Sequence, residues 1–393
     1  MIKDAALNNS WKWWPLFPLY PYGKRNTLFQ ELIVDQVWSL EQIQGIYYVS
    51  VPIRMTVVRV ENGLMLFNPL PPTVELKFYL EKLIKNFGPV LSIILPTASG
   101  LEHKISLPSL SRAFPSAELW ICPGQWSFPL QLSNDFLGIS SKRTKILVKE
   151  GYPHNEICEW FSLGPLDLGL GRFQEISCFH RPSQTLLVTD ALVGIEAKPP
   201  IIFDFDPTPL LFHAREIGTD PLEDTIETRE KGWYRLILFA SFLKPSRLDI
   251  PTFPEIIKNS FHPKLRNFKS HFGIYPFKWR NDWIESAKKL IGKDKPLIQI
   301  FPVLKELVFP RSKDTFLAWL KKIKSLRNLK YLVPAHYSAP LDFNKQSCEQ
   351  LISRLMSDEK DILHEESSFL RSLDQKLLEL KIVPRKSNYE IID

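Results

Sequence analysis

Glu102, His103, Asp190 and His336 stand where apolar, strand-like runs give way to loops, in the segments ILPTASGLEH, TLLVTDALV and YLVPAHYSAP. Imidazole nitrogens and carboxylate oxygens hold zinc or iron, so two of each make a ligand set for one ion. Side chains at the ends of several strands converge on one sheet edge, where layered α/β folds place their sites. A plainer reading stands beside each residue. Asp190 would cap the turn after its strand through backbone N–H groups. His103, between Glu102 and Lys104, would be a hydrogen-bonded loop residue, and His336 a packed side chain between Ala335 and Tyr337.

Further candidates lie near the same runs. Trp126 in PGQWSFPL follows a strand and would line a pocket, or else be buried against helices. Arg54 in VPIRMT would contact an anion or serve a structural ion pair. His180 closes a strand one residue before Arg181. It is a candidate for the pocket, although it lies at the wrong end of its strand from Asp190 and reads more simply as a hairpin residue. Other chemistries lack their signatures. There is no G-x-S-x-G elbow, no Walker A loop and no G-x-G-x-x-G, and the glycines from Gly164 to Gly171 have no strand-turn-helix context.

The elements that must position these residues alternate between strand and helix. IYYVSVP, MTVVRVE and GLMLFNP read as short strands with turns near Pro52 and Asn62-Gly63. VELKFYLEKLIKNFG reads as an amphipathic helix stopped by Gly88. VLSIILP and ELWICP flank a short helix, and SCFHRPSQTLLVTD reads as a hairpin turning over Arg181 to Gln184. Beyond Asp190 the pattern becomes helical, then returns to a strand at YLVP and two C-terminal helices. The alternation predicts a layered α/β sandwich. The expected organisation is an aromatic, proline-rich arm over 1–45, a main domain over 46–345 with a helical insertion at about 204–295, and C-terminal helices over 346–393.

Composition narrows the partners. Of 393 residues, 44% are hydrophobic and 24% charged, which is ordinary for a globular chain. The net charge of +7 is mild and no long basic tract occurs, so nucleic-acid binding is not expected. Cys122, Cys158, Cys178 and Cys348 form no C-x-x-C pair, which points to a reducing, cytoplasmic setting. MIKDAALNNSWKWW holds no apolar signal region, and no run is long enough for a membrane span. The arm SWKWWPLFPLYPYGK would either touch a membrane surface or a partner protein, or clamp onto the chain's own body.

Taken in order, YPYGKRNT, VPIRMTVVRVENGLMLFNPLPPT, PTASGLEHK, PGQWSFPL and HRPSQTLLVTDALV resemble the metallo-β-lactamase fold superfamily. They are most similar to a family of unknown function within it, known mainly from oxygenic phototrophs. The resemblance implies an αβ/βα sandwich and a site descended from H-x-H-x-D-H. Laid on that motif the chain reads Ala98, Gly100, Glu102 and His103, and Gly171 stands where a third histidine is expected. The first metal site is therefore lost. Glu102, His103, Asp190 and His336 match the second, which implies one zinc or iron ion or none. Two functions follow as expectations: a degenerate, non-catalytic scaffold, or a mononuclear hydrolase of an ester, thioester or phosphoester.

Overall fold

The structure, a computed structural model, describes residues 19–385 apart from 22–23, 47, 126–131, 170, 268, 293–294 and 357–362. The chain opens with β1 (Leu19–Tyr20), β2 (Leu28–Ile33), β3 (Val37–Ile46), β4 (Val49–Val60) and β5 (Gly63–Phe67). Next come α1 (Val74–Phe87), β6 (Val90–Leu95), α2 (Leu101–Lys104), α3 (Leu107–Ala113), β7 (Glu118–Ile121) and β8 (Thr144–Ile146). These strands form an eight-stranded sheet, antiparallel from β1 to β5 and parallel from β5 to β8.

Period-two alternation divides this sheet between two cores. Val57, Leu64, Leu66 and Ile93 pack with Leu76, Leu80 and Leu83 of α1 and Leu107 and Leu110 of α3. Their neighbours Val58, Met65, Phe67 and Ile94 point the other way and meet Ile176, Cys178, Leu187 and Val333. The second group belongs to a second sheet, built from β9 (Cys158–Asp167), β10 (Arg172–His180), β11 (Thr185–Leu187) and two late strands. The α1 helix forms where expected. The side chain of Thr73 accepts from Leu76 N–H at 3.1 Å, and Gly88, at φ 99°, returns its N–H to Ile84 O.

After β12 (Val193–Ile195) the chain makes α4 (Thr208–Ala214), α5 (Ile226–Phe242), β13 (Leu248–Asp249), α6 (Phe253–Ile257), β14 (Lys278–Trp279) and α7 (Trp283–Leu290). It returns through β15 (Leu297–Gln299), which pairs antiparallel with β12 and so ties the insertion's exit to its entry. Then follow α8 (Pro302–Leu307), α9 (Lys313–Lys324), β16 (Tyr331–Val333), β17 (Leu341–Asp342), α10 (Lys345–Met356) and α11 (Ser368–Glu379). The outer face of the second sheet, with Leu163, Leu166, Phe179 and Leu186, is covered by Phe316, Trp319 and Leu320 of α9 and Leu351 of α10. Helix, sheet, sheet and helix thus stack in the αβ/βα order of the metallo-β-lactamase type.

Several boundaries differ from the sequence reading. Residues 28–46, assigned there to an arm, form β2 and β3, and β3 pairs with β4 along its whole length. Of the aromatic arm at 10–24, only residues 19–21 and 24 are described. Pro52 does not end a strand. It lies inside β4, opposite Ile43, on a stretch where β5 does not reach, so its missing N–H breaks no ladder on that side. CEWFSLGPLD, given no strand from sequence, is β9, whose pairing with β10 shifts register between Phe173 and Glu175.

Candidate metal centre

Three loops bring the predicted residues together. Thr97, just after β6, accepts the N–H groups of Ser99 and Gly100 on its hydroxyl, turning the chain into α2. A Cβ on Gly100 would stand 2.6 Å from the Thr97 methyl, so this close turn needs glycine. Glu102 and His103 leave the turn on α2. His103 is fully buried, and its Nδ1–H donates to Pro69 O at 3.1 Å. Its Nε2 is buried without a hydrogen-bond partner.

Asp190 follows β11 on a loop held from below by Glu175 of β10. The Glu175 carboxylate accepts from the N–H groups of Thr189, Asp190 and Ala191 at 2.7, 2.8 and 2.9 Å. Sequence reasoning missed this residue. Its signal was the lone acid in the strand-like run FQEISCFH.

His336 sits just beyond β16, on a loop fastened to β4. Its Nδ1–H donates to Pro52 O at 3.0 Å, so here too Nε2 is turned inward. Arg54 does the fastening. Its backbone N–H donates to Ala335 O at 2.8 Å, and its guanidinium reaches Pro334 O and Tyr337 O. The same guanidinium is paired with Glu41, at 2.7 Å, in a buried ion pair. Arg54 is thus a clamp on the His336 loop and not a pocket-lining anion contact. Only the structural ion-pair reading survives.

Glu102, His103 and His336 offer ligand atoms that all lie within 4.8 Å of one another. Asp190 stands beside this trio, its Oδ1 3.1 Å from His336 Nε2, while Glu102 Oε1 is 3.7 Å from the same nitrogen. The sequence-derived quartet is therefore realised as a close trio with Asp190 attached through His336. Burial works to lower the His336 pKa, but contacts with Asp190 and Glu102 outweigh it and raise it to about 10. Burial works to raise Glu102, and the His336 contact with the nearby imidazoles holds it at about 2. His103 moves down, because burial outweighs the attraction of Glu102. Its imidazole is neutral, the form that ligates metals.

The lost half of the motif is filled with packing. Ala98 is buried and donates its N–H to Gln174 O, and the Lys104 ammonium lies on Ala98 O at 2.6 Å. His180 is far from the cluster. It pairs with Thr185 at the opposite end of β10 from Glu175, meets Ser183 Oγ at 2.7 Å, and is pushed down to about 4 by burial. It is a buried hairpin residue and does not line the pocket. Trp126 lies outside the described residues.

A cavity of about 690 Å³ opens over Glu102, Asp190 and His336. Its walls come largely from Gln44 to Ile53 and from the insertion and its return, including Leu243, Phe301 and Val303.

The family described as a domain of unknown function, DUF4336, matches residues 34–353. No curated protein matches. Among solved structures, the chain is similar to a metallo-β-lactamase from Pontibacter korlensis, at 11% identity, covering 85% of this chain and 100% of that one, with a TM-score of 0.35. It is also similar to a mutant flavo di-iron protein from Thermotoga maritima, at 11% identity, 84% and 63% coverage and a TM-score of 0.41. A third similarity is to the metallo-β-lactamase FIM-1 from Pseudomonas aeruginosa in its mono-zinc form, at 10% identity, 41% and 67% coverage and a TM-score of 0.28. The layer order described above, and not these superpositions, carries the fold assignment.

Proposed function

The chain belongs to the DUF4336 family, and from that premise, which supplies no activity, we propose that it is a mononuclear metal-dependent hydrolase of esters or thioesters. One observation carries the reading: the buried Nε2 of His103 has no partner and faces the trio completed by Glu102 and His336. A buried nitrogen left unpaired is costly, and unlike the unpaired Nε2 of His180 this one belongs to a residue whose ligand atom lies within 4.8 Å of two others. Both histidines donate Nδ1–H to backbone carbonyls, the arrangement that fixes ligand tautomer and ring orientation.

Glu102, His103 and His336 would hold zinc or iron, with Asp190 at the edge of the set. When bound, such an ion supplies Lewis acidity toward water and a carbonyl oxygen. The protein's own groups do the rest. Glu175 fixes the Asp190 loop through three backbone N–H groups. Asp190 Oδ1 lies 3.1 Å from His336 Nε2 and holds that ring toward the cluster. The apolar walls exclude bulk water and strengthen each charge interaction beneath them.

A second reading is a binding protein without catalysis. It is favoured by Ala98 and Gly100, which bring no donor to the first half of the motif, and by the Lys104 ammonium bound there. Its contact surface would be the N-terminal aromatic side, where the partly exposed Phe29 stacks on Tyr79 and Phe78 meets Tyr79 edge-on. Metal analysis separates the two. Chain incubated with zinc or iron and then desalted should retain about one ion, and the H103A and H336A variants should retain almost none. Retention below about 0.2 ion per chain would sink the hydrolase and leave the scaffold.

A further inference from the structure

The cavity over the cluster is polar at one end and apolar everywhere else. Besides Glu102, Asp190, His336 and Gln44, the side chains that line it are aliphatic or aromatic. Its volume of about 690 Å³ is in the range of sites that enclose a small ligand. At its mouth stand Ile46, Leu101 and Ile105, exposed by 63, 54 and 53%. Isolated apolar residues at a surface need no explanation, but these share one cavity wall. The wall also continues. Past Ile46 and Val49 it runs into a second apolar hollow of about 490 Å³, formed by Phe239, Ile250, Ile274, Pro276 and Phe277.

An occupant of this shape has one polar end and an extended hydrocarbon body. Glu102 and Asp190 set two carboxylates against the one imidazole of His336 at the polar end, which disfavours a free fatty acid there and suits a neutral carbonyl. We propose that the cavity binds the acyl chain of a carboxylic ester or thioester, with the carbonyl end against Glu102 and His336 and the chain running along Ile105 and Ile46 into the second hollow. The orientation rests on the hydrolase reading. The binding of the chain does not, because the stretch along Ile105, Ile46 and the second hollow contains no metal ligand.

The test uses the full-length chain, metal-free and zinc-treated, with the fluorescent methyl ester of cis-parinaric acid as probe. A series of methyl esters from butanoate to dodecanoate displaces it. Affinity should rise about fourfold with each added methylene until the cavity is filled. The I46E/I105E variant, altered at two exposed positions, should lose at least about tenfold in dodecanoate affinity. The F253E variant changes an exposed residue outside the cavity and should bind as the parent does. Affinity independent of chain length, or an I46E/I105E variant that binds dodecanoate as well as the parent, overturns the proposal. A concentration-dependent dimer that dissociates in I46E/I105E, without ester binding, would assign the wall to a second copy and overturn it too. Retained chain-length dependence in a chain that takes up no metal would refute the hydrolase and uphold the acyl site.

Discussion

His336 is gripped from both sides, by Pro52 O on Nδ1 and by Asp190 and Glu102 on Nε2. Raised from 6.5 to about 10, it is protonated in the metal-free protein near neutral pH, whereas His103 is neutral. Ion uptake at about pH 7.5 should therefore release close to one proton, all of it from His336. Calorimetry in buffers of differing ionisation enthalpy reads that number directly, and a value near zero would refute the assignment. The same shift sets the stability of the metal-free chain. With a folded pKa above the unfolded one, His336 contributes fully below about 6.5, and the contribution fades as pH rises through about 10. Glu102, held at about 2, contributes above about 4.5 and loses its share as pH falls through about 2. Urea midpoints of the metal-free protein should thus decline from pH 7 to 10, and H336Q should flatten that decline. Glu175 offers a sharper perturbation. The E175A variant strands three backbone donors in the interior, for a loss of about 3 kcal/mol or more by urea unfolding. Ion affinity should drop about 10- to 100-fold as the Asp190 loop loosens.

Among the elements, α5 shows where local propensity and packing disagree. Gly232 lies inside this helix, where alanine would ordinarily gain about 1 kcal/mol. A Cβ at that position would meet Leu210 O of α4 at 1.9 Å. The G232A variant should therefore be destabilised, by several degrees in thermal midpoint, against the sign that helix propensity gives. The helices themselves were legible, because α1, α5, α9, α10 and α11 carry apolar residues at helical spacing, and α1 has its Gly88 stop as well. So was the hairpin at Arg181 to Gln184, where β10 meets β11. The β2 and β3 strands were not, since Glu31, Glu41, Gln42 and Gln44 interrupt their alternation. Glu31 is satisfied nearby, by Asp35 N–H and the Trp38 indole, but Glu41 is satisfied by Arg54 and Gln42 by Pro71 O and Thr27, and no local pattern reveals such partners. For the same reason the convergence of Glu102, His103, Asp190 and His336 came from the inherited order of motifs, while Glu175, the role of Arg54 and the apolar walls needed the fold.

Across the whole molecule, the insertion's core and the candidate metal centre share a boundary. Tyr337, next to His336, belongs to the cluster built on Trp233, Leu236 and Phe242 of α5. It adopts φ 60°, a left-handed conformation unusual for a tyrosine, and is pinned there by Arg54 on its carbonyl and by the rings of Trp233 and Phe301 at 5.9 and 5.8 Å. Trp233 is itself fully buried and donates its indole N–H to Glu196 O at 3.0 Å, so the insertion acts as a buttress for the loop that carries His336. On the opposite outer layer, Trp319 of α9 is equally buried, donates to Ser177 Oγ at 3.1 Å and belongs to the core between the second sheet and α9 and α10. Truncating either tryptophan to alanine should cost about 3–5 kcal/mol of stability. Their effects on ion binding should part. W233A frees Tyr337 to leave its strained conformation and should weaken zinc affinity at least tenfold, measured below the unfolding transition. W319A should leave that affinity within about twofold of the parent. Equal losses in the two variants would mean that the insertion does not buttress the centre, and that the metal site senses only global stability.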